Sequence, residues 1–175
     1  MEITILIFLF GGLFLGWSLG ANDAANVFGT AVGTRMVSFT SAAIICSVFV
    51  ILGAIISGAG TTETLGKLGA INALPGAFAA CVAAGISVYL MTKVGLPVST
   101  TQAIVGAIVG WNLYTGSSTN LQVLITILGT WILCPIIAGV IAMGLFTFTK
   151  RVILNRKLHI LRLDAYTRTA LLLAG

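Results

Sequence analysis

Charge is what this sequence has least of: four acidic and nine basic residues stand among 175, a charged fraction of 7%. A soluble domain carries about 25% charged residues, because a folded surface in water needs polar cover. This chain cannot supply that cover, and 58% of its residues are hydrophobic. Its solvent is therefore lipid. Histidine is nearly absent too, since His159 stands alone in a basic stretch, and a histidine metal centre is excluded. Cys46, Cys81 and Cys134 lie singly within apolar runs without CxxC spacing, so neither a disulfide framework nor a thiolate site is expected. A Walker loop, a nucleophile–base pair and a metal-ligand cluster are all missing, which argues against an ATPase, a hydrolase or any other enzyme, and no cofactor is expected. The chain also lacks the basic opening of a signal peptide: it begins Met1-Glu2-Ile3, and its first apolar run outlasts a signal core, so that run reads as a membrane helix.

What remains is an all-α integral membrane protein. A spanning helix needs about 20 apolar residues. The apolar runs fall at about 3–33, 39–57 and 75–92, at 98–114, and at 121–148, the last with Pro135 inside it as an expected kink. A polar, glycine-rich stretch, 58–72, separates the second run from the third, and its Glu63 reads as a loop carboxylate. The turn Lys93-Val94-Gly95-Leu96-Pro97 joins two runs into a hairpin over about 75–114, either re-entrant or fully crossing, and 115–120 is a polar loop. Residues 1–149 thus form one membrane repeat unit. Residues 150–168 read as a basic interfacial helix with Leu154, Leu158 and Leu161 on one side, and 169–175 as the start of a further membrane segment, so the chain is expected to be one half of a longer protein. Gly12, Gly16 and Gly20 suggest a close-packing face on the first helix, Gly106 and Gly110 form a second small-residue pair, and Trp17 reads as packing.

Six of the nine basic residues lie between Lys150 and Arg168. Beside a membrane segment such a cluster reports topology, not a nucleic-acid partner. With that cluster cytoplasmic, the N-terminus lies outside a multi-pass protein of the plasma membrane. The count of crossings is then odd, five or three, and a copy of an odd unit placed after it is inverted, the architecture of many secondary transporters.

Two motifs carry chemistry. The first is Gly20-Ala21-Asn22-Asp23-Ala24-Ala25-Asn26, in the middle of an apolar run. A carboxylate at the bilayer centre costs roughly 2.5–3.5 kcal/mol and is tolerated where it meets an ion, a partner or a cavity. Asn22, Asp23 and Asn26 fall on one helical surface, their oxygens suit a hard cation such as Na⁺, and Gly20 is expected to break the helix and free backbone groups. The alternative is an interhelical hydrogen-bond cluster that holds the bundle together. The second motif is Leu96-Pro97-Val98-Ser99-Thr100-Thr101-Gln102, where Ser99 and Gln102 have capping-box spacing. A helix start within the membrane favours an anion through its free N–H groups and dipole, and the hydroxyls add donors; alone, the pattern also fits an ordinary cap. An anion near Asp23 would be repelled until bound cations reversed the local sign. Cation and anion binding would then depend on each other, as symport requires.

At these two motifs the sequence closely resembles the PiT family of inorganic phosphate transporters, in segment order over nearly the whole chain. The resemblance implies an inverted repeat in which each half carries one Asn-Asp motif and one Ser-Thr-Thr hairpin. It implies sodium-coupled, or in some members proton-coupled, phosphate symport, often from a homodimer. Carried over, Asn22, Asp23 and Asn26 would bind sodium, and Ser99, Thr100, Thr101 and Gln102 would bind phosphate. Many members have His after the Thr pair, where this chain has Gln102; a neutral Gln cannot titrate near pH 7, which leans towards Na⁺ over H⁺. The rival readings are a sulfate permease of the same fold and an uncoupled channel or membrane subunit. Phosphate, unlike sulfate, can donate a proton to a carboxylate facing it.

Overall fold

A computed structural model describes residues 2–69, 74–151 and 160–174. Among them the chain is helical throughout: α1 (Glu2–Gly33), α2 (Phe39–Leu68), α3 (Leu74–Lys93), α4 (Thr100–Thr115), α5 (Leu121–Thr149) and α6 (Ile160–Ala174). α1 from Thr4, together with α2, α3 and α5, is long and apolar enough to cross a membrane. α4, with 16 residues, is about 24 Å long and falls short of a bilayer core of about 30 Å. The chain divides into two compact units, Met1–Leu121 and Gln122–Gly175.

In the first unit α3 is the central helix, packed against α1 on one side and α4 on the other. α1 and α3 run parallel. Their meeting residues advance together: Phe8 lies edge-on to Phe78 at 5.7 Å, a Cβ on Gly85 would strike Phe14, and Asn22 bonds Thr92. Parallel neighbours one helix apart in sequence require α2 to carry the chain back between them. The seam is built from small residues, with Ala80, Ala84 and Val88 of α3 at 2% exposure or less. The close approaches in this seam fall at Gly11 and Gly85, while a Cβ on Gly12, Gly16, Gly20, Gly106 or Gly110 would meet no neighbour within 4 Å among the described residues, contrary to the packing faces expected of them.

Local chemistry sets the helix ends. α1 stops where Arg35 adopts a left-handed φ of 59° and Met36 N–H bonds the Ala31 carbonyl at 2.9 Å. Ser38 caps α2 by accepting from Ser41 N–H at 3.2 Å. α3 closes through Gly95, at φ 77°, with Leu96 N–H on the Met91 carbonyl at 2.9 Å, and Pro97 follows where a helix cannot continue. Ser99 then caps α4.

Two expectations are corrected. α1 is unbroken through Gly20–Asn26, where a broken first helix was expected. A lone glycine costs about 1 kcal/mol relative to alanine, which does not open a helix whose side packs along a neighbour. α2 continues to Leu68, through most of the polar stretch expected to be a loop, so Glu63 is helical. The Glu63–Lys67 pair at 2.6 Å, four residues apart, supports this end, and Thr62 and Thr64 return their hydroxyls to the Gly58 and Gly60 carbonyls.

In the second unit α5 keeps Pro135 inside it, and it presents large apolar side chains such as Ile125, Ile132 and Phe146 to its surroundings. Much of the expected basic interfacial helix, including Leu154 and Leu158, lies outside the described residues. α6 begins at Ile160 and passes without a boundary through 168–169, with Arg168 bonding Asp164 at 2.8 Å.

Candidate functional site

The α3–α4 hairpin turns beside the middle of α1, and the two sequence motifs meet there. Thr100, the first residue of α4 and only 7% exposed, donates its hydroxyl to Asp23 Oδ2 at 3.1 Å. One residue earlier on α1, Asn22 donates through Nδ2 to Thr92 Oγ1 at 2.8 Å, and Thr92 donates to its own helix at the Val88 carbonyl. Successive residues on a helix point about 100° apart. Asn22 therefore serves the α3 side and Asp23 the α4 side, and together they hold both arms of the hairpin.

The start of α4 follows from its sequence. Ser99 Oγ accepts from Gln102 N–H at 3.3 Å, which satisfies one of the amides that open the helix, and Ala103 N–H returns to the Ser99 carbonyl. The hydroxyls of Ser99 and Thr101 and the Gln102 amide stay exposed around this start. Of the four residues expected to meet an anion, the structure brings Thr100 to the Asn-Asp motif and leaves Ser99, Thr101 and Gln102 at the rim. Of the three expected to meet a cation, Asn22 is buried, Asp23 is half-buried and Asn26 is exposed. Asn26 stands one turn beyond the level at which α3 ends, so nothing in the hairpin covers it.

The site holds unmet acceptors. Asn22 Oδ1 and Ser18 Oγ are buried without a hydrogen-bond partner among the described residues. On its other side Asp23 borders an apolar cleft of about 770 Å³ between α1 and α2, lined by Gly16, Gly20, Ala42 and Cys46 among others. Among the described residues, no group of three or more His, Cys, Asp or Glu side chains is placed to hold a metal.

Sequence reasoning missed Thr92 and Ser18. Thr92 carried a signal, a hydroxyl in the last turn before the hairpin. Ser18 carried none beyond its spacing of four from Asn22, because a lone serine in a membrane helix ordinarily bonds its own backbone.

The model of the Phosphate transporter family matches residues 19–172. A Pyrococcus furiosus protein described as a phosphate permease is 37% identical over 89% of this chain and 39% of its own length. A Plasmodium falciparum protein described as a sodium-dependent phosphate transporter is 32% identical over 82% of this chain and 23% of its own. A solved structure described as the sodium-dependent phosphate transporter superposes with a TM-score of 0.78 at 30% identity, over 90% of this chain and 41% of that one. The chain thus spans about two fifths of the length of the archaeal relative and of the solved structure. Each description names phosphate transport, and the sulfate reading finds no support in them.

Proposed function

We propose that this chain, which belongs to the phosphate transporter family, forms one half of a sodium-coupled phosphate symporter. The observation that carries the proposal is the Thr100–Asp23 hydrogen bond, which puts the helix start suited to an anion against the carboxylate suited to a cation. Asn22, Asp23 and Asn26 supply hard oxygens for Na⁺. Ser99, Thr100, Thr101 and Gln102, with the first amides of α4, supply donors for phosphate. Without Na⁺ the Asp23 charge repels the anion, and bound Na⁺ reverses that sign. Coupling is then electrostatic. A phosphate that tightens when sodium binds must tighten sodium equally, and that reciprocity is the thermodynamic core of symport.

The fold supports the finer architecture. Thr92, one residue from the end of α3, lies opposite Asn22, yet α1 continues for eleven residues beyond Asn22, about 16 Å. The arm that falls short of the bilayer core is α4, with 16 residues, and its shortness supports reading the hairpin as re-entrant. An inverted second half would place its own hairpin at the same depth. We place the N-terminus outside and the basic segment after α5 in the cytoplasm, in the plasma membrane, with a homodimer as the working assembly.

The test is phosphate uptake into proteoliposomes of the full-length protein under inward Na⁺, K⁺ or H⁺ gradients. Uphill uptake driven by Na⁺ alone is expected. Uptake that never exceeds equilibrium under any gradient would overturn symport, and uphill uptake driven by H⁺ alone would replace sodium.

A further inference from the structure

Two oxygens on α1 are buried and unmet, and they lie one turn apart. Ser18 is 1% exposed and Asn22 4%, and neither Ser18 Oγ nor Asn22 Oδ1 has a hydrogen-bond partner among the described residues. Residues four apart stand on the same helical face with Cβ atoms about 5–6 Å from each other. That face is the α3 seam: Asn22 bonds Thr92 there, and the parallel register sets Ser18 level with fully buried Val88. In lipid no bulk water is at hand for such atoms.

The chemistry narrows the guest. An amide carbonyl oxygen only accepts, and a serine oxygen offers lone pairs once its proton turns away. Two hard oxygens buried and unmet one turn apart on the same face of α1 match a small hard cation. α1 is unbroken here, so its carbonyls are engaged in the helix, and coordination falls to the side chains. This inference rests on the proposed reading of Asn22 as a sodium ligand.

We propose that Ser18 Oγ joins Asn22 Oδ1 as a ligand of one monovalent hard cation, which extends the cation site one turn towards the N-terminus from the Asn-Asp motif. Ser18 then sets affinity for the cation without touching phosphate.

The experiment titrates Na⁺ into the purified full-length protein without phosphate and follows tryptophan fluorescence. Trp17, next to Ser18 and 5.6 Å from the Tyr89 ring, is the reporter. Ser18→Ala and Ser18→Cys are compared with wild type and Ser18→Thr. The cysteine nearly preserves volume but replaces a hard oxygen with soft sulfur, so a loss shared by both variants belongs to the oxygen. The Na⁺ half-saturation is expected to rise about tenfold in both and to stay near wild type in Ser18→Thr. In uptake at saturating Na⁺, the phosphate half-saturation stays unchanged. An unaltered Na⁺ half-saturation in Ser18→Cys would overturn the assignment of Ser18 alone. A wild-type protein that transports phosphate but shows no Na⁺ response in binding or uptake would instead overturn the sodium reading beneath it.

Discussion

A buried asparagine stands at each end of the α3–α4 hairpin, Asn112 at its base and Asn22 of α1 beside its tip, and the two ends differ in what each leaves over. At the base Asn112 is fully buried and donates to Thr119 Oγ1 at 2.9 Å. Its amide fills the space where a side chain on Gly69 would stand. Ser117 N–H bonds the Asn112 carbonyl at 2.9 Å, Gly116 closes the helix at φ 69°, and Asn120 N–H reaches the Leu68 carbonyl at 3.0 Å. At the tip Asn22 spends its donor on Thr92 and keeps its acceptor unmet, Asp23 receives Thr100 on Oδ2, and three more polar side chains lie exposed at the rim. A polar cluster that satisfies itself holds a structure together. One with acceptors to spare has room for a ligand. The base of the hairpin is a clamp, and the tip is the proposed site.

Substitutions should separate the two ends. The largest effect is expected from Asp23→Asn, which removes the charge proposed to couple the ions: sodium-driven phosphate uptake is expected to fall at least about a hundredfold while the melting temperature holds. Equal loss of folded protein would move Asp23 to the structural side. At the base, Gly69→Ala forces a Cβ into the Asn112 amide and should cost about 1–3 kcal/mol of stability by thermal unfolding, with the Na⁺ half-saturation of the surviving protein unchanged. A shifted Na⁺ half-saturation would show that the clamp tunes the tip. Thr100→Val keeps the volume and removes the donor to Asp23. It should raise the half-saturation for phosphate about tenfold, with Thr100→Ser restoring it. Smallest is Thr119→Val, worth about 1 kcal/mol of stability through the lost Asn112 bond and nothing in transport.

The same contrast explains what the sequence disclosed. Lipid solvation was legible because hydropathy is summed over many residues, and four helices are long and apolar enough to cross. The Asn-Asp and Ser-Thr-Thr motifs stood out because buried polarity is rare in apolar runs. Their meeting through Asp23 and Thr100 depends on α1 and α3 lying parallel with Asn22 level with Thr92, a tertiary register that no local pattern encodes. Gly20 misled because propensity marks where a helix is weak, and packing decides whether it opens. The stretch after Gly58 misled because the Glu63–Lys67 pair and back-bonded threonines let polar residues stay helical. Asn112 and Gly69 drew no notice, since a satisfied clamp looks in sequence like any loop border.

The most direct measurement is phosphate affinity of the full-length protein at a series of Na⁺ concentrations, for wild type, Asp23→Asn and Gly69→Ala. The tip is predicted to bind phosphate more tightly as Na⁺ rises, with that dependence lost in Asp23→Asn and kept in Gly69→Ala. Phosphate affinity indifferent to Na⁺ in the wild type, or a dependence that survives Asp23→Asn, would contradict the assignment of coupling to the Asp23–Thr100 junction.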